Sequence, residues 1–175
     1  LLPGQGWESH YELTRDLHLE AYEAEYLNTN FERAEQLSEI VLSRAKTVLE
    51  TVKVYELKIP FYLSQNQPQQ ALETALEVLK TLGVSLPKKP NKPSVMVGLI
   101  RNKLTLGSKK IEDLATLPLM TDPYKLASMR ILIAVIPAAF MANPMLFPLI
   151  VFKMVALSLQ YGNSSLSAFG YANYG

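Results

Sequence analysis

Cysteine is absent from the 175-residue sequence, and histidine occurs only at His10 and His18. Disulfides, thiolate metal sites and histidine-rich metal sites are thereby excluded, and a chain without cysteine suits a reducing compartment. The two histidines are eight residues apart, which is about two turns of a helix, so they cannot share a metal ion. We therefore expect a cytoplasmic protein that binds no metal.

Sequence motifs of catalysis and nucleotide binding are also missing. Gly107-Ser-Lys109-Lys110 lacks the upstream glycine and the hydroxyl residue of a phosphate-binding loop, and it follows a predicted helix rather than a strand. Carboxylates in a line along one helix do not converge on a cation, so a solvated face is expected for the acids Glu8, Glu12, Asp16 and Glu20. The sequence predicts no catalytic, cofactor-binding or metal-ligating residue and no small-molecule ligand, so we do not expect this chain to be an enzyme.

Charge is sparse and unevenly distributed. Charged residues make up 19% of the chain and the net charge is +1, yet residues 8–39 carry nine acids and two bases, whereas residues 88–110 carry seven bases and no acid. The two ends of the molecule should differ in sign, as in a module held between differently charged neighbours. No aromatic residue is interleaved with the bases, so nucleic-acid binding is not expected. The bases form a candidate docking strip for an acidic protein neighbour: Lys88, Lys89, Lys92, Arg101, Lys103, Lys109 and Lys110.

A repeated turn organises the first half of the chain. Tyr26-Leu-Asn-Thr-Asn-Phe31-Glu-Arg-Ala34 recurs as Tyr62-Leu-Ser-Gln-Asn-Gln-Pro68-Gln-Gln-Ala71, and the two alanines are 37 residues apart. Such a period is typical of helical-hairpin repeats, in which a small residue lets paired helices approach closely. The early Trp–Leu–Gly signature of tetratricopeptide repeats is missing from both units. The predicted fold is all-α, a tetratricopeptide-like stack of antiparallel helical hairpins (an α-solenoid).

Three regions follow from this pattern. Residues 1–83 are predicted to form two helical hairpins, residues 84–93 a Pro/Lys linker, and residues 94–175 further helical hairpins. Apolar periodicity and helix caps predict helices over about residues 8–27, 31–44, 47–64, 68–82, 94–106, 111–117, 123–141, 144–161 and from 164 or 165 onward.

Four local expectations can be tested against the structure. The apolar stripe of the first helix should face the core: Leu13, Leu17, Ala21, Ala24 and Leu27. An asparagine should take the left-handed conformation in the turn Asn28-Thr-Asn30. Asp122-Pro123 and Asn143-Pro144 should each begin a helix. The last helix should present a small-residue face formed by Ala168, Gly170 and Ala172.

An uncharged segment of 22 residues, Ile131–Phe152, is long enough to span a bilayer. It is interrupted by three prolines and by the Asn143-Pro144 junction, which leaves each half too short to cross alone. Two buried core helices are therefore favoured. The alternative is a membrane-associated helical segment in which residues 124–160 form a re-entrant hairpin beside the basic strip.

The ends of the chain suggest a piece of a longer protein. The start has no basic region or methionine, and Gly175 falls within an apparent helix. We expect the last hairpin to be C-terminally truncated and the small-residue face around Ala168–Ala172 to be exposed.

Several long stretches resemble a known family. They are Leu82-Gly-Val-Ser-Leu-Pro-Lys-Lys-Pro90, Ile111-Glu-Asp-Leu-Ala-Thr-Leu-Pro118, Met120-Thr-Asp-Pro-Tyr-Lys-Leu-Ala-Ser-Met-Arg-Ile-Leu132, Ala142-Asn-Pro-Met-Leu-Phe-Pro-Leu-Ile-Val-Phe-Lys-Met154 and Tyr161-Gly-Asn-Ser-Ser-Leu-Ser-Ala-Phe-Gly-Tyr-Ala-Asn-Tyr-Gly175. These stretches resemble the helical-repeat middle of very large bacterial multi-sensor signalling kinases. Such proteins join a serine/threonine kinase-like domain, a signal-transduction ATPase, helical repeats, a GAF domain and a sensor histidine kinase.

The resemblance implies a non-catalytic module that couples domains within such a kinase by protein–protein contacts. The partners would be other domains of the same polypeptide or signalling proteins, and the full-length protein would be a protein kinase and ATPase. The matching stretches lie in the helical middle of the family, so no catalytic or nucleotide-binding residue is carried over.

Overall fold

A computed structural model describes residues 6–107 and 111–174, and over these ranges the chain is all-α. The described helices are α1 (Gly6–Ser9), α2 (Tyr11–Leu27), α3 (Phe31–Arg44), α4 (Val48–Ser64), α5 (Pro68–Thr81), α6 (Lys92–Leu106), α7 (Ile111–Ala115), α8 (Pro123–Ala134), α9 (Ile136–Ala142), α10 (Leu146–Tyr161) and α11 (Ser167–Tyr174). One short backbone pairing ties Leu119 to Asn163.

Each of the two predicted hairpins corresponds to a pair of helices that pack on each other. α2 packs most extensively on α3, and α4 on α5. Ala34 and Ala71 are both fully buried, as expected where a small side chain lets two helices approach closely. Tyr26 packs edge-on against Phe61, with ring centroids 5.9 Å apart, so the aromatic before the first turn reaches the second hairpin.

Both turns end the preceding helix in the same way. Thr29 (φ 62°) and Asn66 (φ 56°) adopt the left-handed conformation, and the next amide bonds back across the turn, from Asn30 N–H to Glu25 O at 2.9 Å and from Gln67 N–H to Tyr62 O at 2.8 Å. This is the Schellman pattern of a helix C-terminus. The expectation for the first turn was wrong in one detail, because Thr29, and not an asparagine, takes the left-handed position.

The predicted inward face of the first helix was wrong for its three leucines and for Ala24, whereas Ala21 is partly buried against the small core. Its buried residues are Thr14, His18, Leu19 and Tyr22, whereas Leu13, Leu17 and Leu27 are 42% to 71% exposed. Trp7 on α1 stacks near His18, with ring centroids 4.9 Å apart. Leu19 and Tyr22 belong to the small core that α2 forms with α3 and α4, so the face that α2 turns inward is the one for which packing partners are present.

The basic segment becomes helical earlier than predicted. Asn91 caps α6 by accepting a hydrogen bond from Ser94 N–H at 2.9 Å, and Ser94 Oγ accepts one from Asn91 N–H at 2.8 Å. This reciprocal pair is a capping box. The last two residues of the predicted linker, Lys92 and Pro93, therefore form the first turn of α6, where proline is tolerated.

The apolar segment after residue 122 folds as three helices. The Asp122 side chain accepts hydrogen bonds from Tyr124 N–H and Lys125 N–H, so the predicted cap is confirmed. The single helix predicted to Met141 is instead broken at Val135 into α8 and α9, which are bent by 43°. Pro137 lies in the first turn of α9, where the ring is compatible with a new helix but not with an uninterrupted one. α10 begins at Leu146 rather than at Pro144.

The main hydrophobic core joins the second hairpin to these later helices. α4 and α5 pack on α8 and α9, and α10 packs on α6, α9 and α11. Met129, Leu132, Ile150 and Met154 are fully buried in this core. A smaller cluster around Leu37, Val41 and Val54 holds α2, α3 and α4 together.

The uncharged stretch lies largely within this core. Among the described helices, none has by itself the length and apolar character needed to cross a membrane, although α8 and α9 together reach it across their bend. The inward faces of both helices are covered by α4 and α5.

Candidate interaction surfaces

The basic residues of the predicted strip do not form one line. Lys88 and Lys89 precede α6, Lys92, Arg101 and Lys103 lie on it, and all five are exposed. Helical spacing places Lys92 and Lys103 on one side of α6 and Arg101 about 180° away. Lys109 and Lys110 lie outside the described residues.

An apolar ridge runs along the outer face of α6 between these charges. It consists of four residues that are 51% to 78% exposed: Met96, Val97, Ile100 and Leu104. Asn102 is the one residue of α6 that is buried. On the inner side Gly98 packs so closely on α10 that a Cβ there would lie 2.9 Å from Phe152 Cδ2. Close packing at Gly98 fixes the rotation of α6, and the ridge is left facing outward.

α2 carries a second uncovered apolar face, which is bordered by acids where the ridge on α6 is bordered by bases. Leu13, Leu17 and Leu27 point outward. Beside them lie the exposed acids Glu12, Asp16 and Glu20. The acidic ladder is thus solvated, as expected, but it borders an apolar stripe that the sequence predicted to be buried. We call this the α2 face, and Met96, Val97, Ile100 and Leu104 the α6 ridge.

A cationic groove lies between the segment before α6, α6 itself and α10. Its cavity volume is about 190 Å³, and both Arg101 and Lys153 line it. Burial lowers the pKa of Lys153, and the neighbouring charges of Arg101 and Lys125 lower it further. Among the described side chains, no carboxylate forms an ion pair with Arg101 or Lys153. Sequence reasoning missed Lys153 because it stands alone in an apolar helix, remote from the basic segment.

A broader groove of about 600 Å³ lies along α3, α4 and α5. Six of its thirteen lining residues carry a hydroxyl group, among them Thr51, Tyr55 and Thr74. Lys58 lies in its wall and donates a hydrogen bond to Glu35 Oε1 at 2.6 Å. Burial alone would lower the pKa of Lys58, but the hydrogen bond and charge of Glu35 outweigh it and raise the pKa.

The last helix divides its small residues between two faces. Ala168 and Ala172 are exposed, as expected, and line an apolar groove of about 600 Å³. Gly170 lies on the opposite side, where an added Cβ would be 3.1 Å from Met154 Cβ. The prediction of one shared face was therefore wrong for Gly170, because residues two apart on a helix point in different directions.

The strongest polar network outside these surfaces joins α2 to the start of α4. Tyr11 Oη donates a hydrogen bond to Glu50 Oε2 at 2.6 Å, and Arg15 forms an ion pair with the same carboxylate. Although burial would raise the pKa of Glu50, hydrogen bonds from Tyr11 and from the Lys46 and Thr47 amides lower it. These contacts hold two helices together. Where the structure describes side chains, no three from His, Asp or Glu converge in a way that could hold a metal ion.

Comparison with known proteins gives one distant similarity. Hybrid signal transduction histidine kinase G of Dictyostelium discoideum is 22% identical to the chain over an alignment of 186 residues, which covers 97% of the chain and 5% of the kinase. The chain therefore corresponds to a small segment of that much longer relative. No protein-family model and no solved structure matches the chain.

Proposed function

We propose that this chain is a non-catalytic, tetratricopeptide-like helical module that couples neighbouring domains of a multidomain signalling kinase by protein–protein contacts. The observation that carries the proposal is the α6 ridge, four large apolar side chains exposed in a row on a helix whose opposite face is packed. Large apolar side chains gathered on one exposed face mark interaction sites more often than single ones do.

The charges around the ridge indicate the kind of neighbour. Lys92 and Lys103 border it on one side and Arg101 on the other. Cations at the rim of an apolar surface favour an acidic partner, and they contribute more to the rate and specificity of docking than to its affinity. An acidic amphipathic helix or loop meets both requirements.

The α2 face supplies a second contact of opposite sign. Its leucines are exposed beside carboxylates, so it suits a basic neighbour. Two uncovered faces of opposite charge fit a module placed between different neighbours, and helical-repeat arrays commonly present extended binding surfaces to their partners. The distant similarity to a signal transduction histidine kinase, which spans nearly the whole chain, supports a place in such a protein.

Replacing the ridge in the multidomain protein tests the proposal. The triple variant Met96→Gln, Ile100→Gln and Leu104→Gln removes apolar area while leaving the helix and its charges in place. We expect the autophosphorylation rate of the multidomain kinase to change at least about fivefold, since losing one apolar contact costs roughly 1 kcal/mol or more.

The matched control is Leu119→Gln, which alters a side chain that is 79% exposed but outside α6. The control should leave the rate unchanged, and circular dichroism should show native helix content in both variants. If the ridge variant folds normally and its rate equals that of the wild type, the ridge does not couple domains.

A further inference from the structure

We propose that the groove between α6 and α10 is a binding site for a small organic anion, with Arg101 and Lys153 holding its carboxylate or phosphate group. This site adjoins the α6 ridge, with which it shares Val97, but binding a small anion goes beyond the contact function proposed above.

The first argument is the uncompensated positive charge. Arg101 on α6 and Lys153 on α10 line one cavity whose lining includes no acidic residue. Lys153 is half-buried, and its ammonium group is disfavoured there by burial and by Arg101 and Lys125. A half-buried ammonium group that lines a cavity with a second cation and no described counter-charge is disfavoured, and a bound anion offsets that cost.

Lys125 is a third cation near Arg101 and Lys153, but its ammonium group already has other partners. The ammonium group of Lys125 lies 3.4 Å from the carbonyl oxygen of Leu82 and 5.3 Å from the centre of the Tyr161 ring. It adds positive potential behind Lys153 while keeping these partners. Arg101 and Lys153 are therefore the groups available to a ligand.

The second argument is the shape and lining of the cavity. Its volume of about 190 Å³ corresponds to about six water molecules at roughly 30 Å³ each. The apolar walls are formed by Phe152, Leu149 and Val97. Ser85, in the segment before α6, also lines the cavity. A ligand with one anionic group on a small apolar body matches this lining, as binding sites generally combine apolar walls with a few polar anchors.

A buried polar atom lies beside the cations. The Asn102 side chain lines the cavity and is 4% exposed, and its Oδ1 has no hydrogen-bond partner among the described atoms. Its Nδ2 donates to Gly98 O at 3.2 Å. A buried amide oxygen without a donor needs a partner, and a hydroxyl group of a ligand that reached Oδ1 from the cavity would donate that hydrogen bond.

Phenyl phosphate is a suitable probe, with inorganic phosphate and a synthetic acidic peptide for comparison. Isothermal titration calorimetry on the 175-residue chain at constant ionic strength should show saturable binding of phenyl phosphate. Arg101→Gln and Lys153→Met should each weaken it at least about tenfold, since each removes a charge-assisted hydrogen bond to the phosphate group.

The control is the double variant Lys92→Gln and Lys103→Gln, which removes the same type of charge from the far side of α6. It should bind phenyl phosphate as the wild type does. No saturable binding, or equal weakening in the control, would overturn the proposal. If inorganic phosphate binds as tightly as phenyl phosphate, the apolar walls do not contribute to binding. If the acidic peptide binds and phenyl phosphate does not, the ligand of the groove is a protein segment and the proposal of a small anion is wrong.

Discussion

Single residues at the two hairpin turns show how far local chemistry can be predicted. Ala34 and Ala71 were predicted from their spacing to lie at close helix contacts, and both are buried. The left-handed residue of the first turn was not predicted correctly, because asparagine is the better candidate by intrinsic preference. Thr29 occupies the position because the length of the turn places it there, whatever its side chain prefers.

The conformation of Thr29 leads to a stability prediction. A β-branched residue at positive φ is strained by about 1–2 kcal/mol, and glycine is not. After allowance for the greater unfolded-state entropy of glycine, Thr29→Gly should raise the free energy of unfolding by about 0.5–1 kcal/mol. Urea denaturation with an unchanged m-value measures this.

Asn66 provides the matched control for Thr29. It has the same backbone conformation, but asparagine tolerates it, so Asn66→Gly should change stability by only a few tenths of a kcal/mol. Equal effects at the two positions would show that strain at Thr29 is not the cause.

Lys153 illustrates what sequence reasoning cannot reach at the residue scale. The basic segment was identified by its clustering, but Lys153 lies far from it in sequence, within an apolar helix. Lys153 and Arg101 line the same groove because of the rotation of α6 against α10, which is set by the close contact at Gly98. A long-range packing detail of this kind leaves no local pattern.

At the scale of elements, α2 shows why apolar periodicity is an incomplete guide. Two faces of this helix carry apolar groups, one with leucines and one with aromatic and small side chains. Apolar periodicity predicted burial of the leucine face. The face that is buried is the one with His18 and Tyr22, which Trp7 of α1 and the helix α3 cover. A pattern identifies a face capable of burial, but the available partners decide which face is buried.

Substitutions can test the orientation of α2. The double change Leu13→Ser and Leu17→Ser should cost less than about 1 kcal/mol of unfolding free energy, because exposed positions contribute about 0.5 kcal/mol or less each. Leu37→Ala, by contrast, should cost about 2–5 kcal/mol, since Leu37 is 1% exposed in the small core. Chemical denaturation of the 175-residue chain compares the two. A loss of several kcal/mol from the double change would mean that α2 is buried by its leucine face.

A strong cap signal predicted one of the two later helix starts correctly, since α10 begins at Leu146 and not at the Asn143-Pro144 junction. Asp122 caps α8 as expected. Val135 gave no such signal, and the break there was missed. Pro137 accounts for the break between α8 and α9, because proline cannot donate the backbone hydrogen bond that an unbroken helix requires.

At the scale of the whole molecule, the all-α class followed from composition and periodicity, but the packing order did not. The second hairpin packs on α8 and α9, and α6 packs on α10, although α6 follows α5 in sequence. The connection that includes the Pro/Lys segment is long enough to permit this, and the choice is made by the large apolar faces of α8 to α10. Contacts between distant segments depend on total buried area, which no local window contains.

Amide hydrogen exchange tests most directly whether the α6 ridge and the α2 face contact neighbouring domains. The exchange rates are compared between the chain alone and the chain within the proposed multidomain kinase. If they do, exchange within α6 and α2 should slow by about tenfold or more in the multidomain protein. The exchange of α4 and α5, already packed in the core, should stay the same. Identical exchange of α6 and α2 in both proteins would contradict the account.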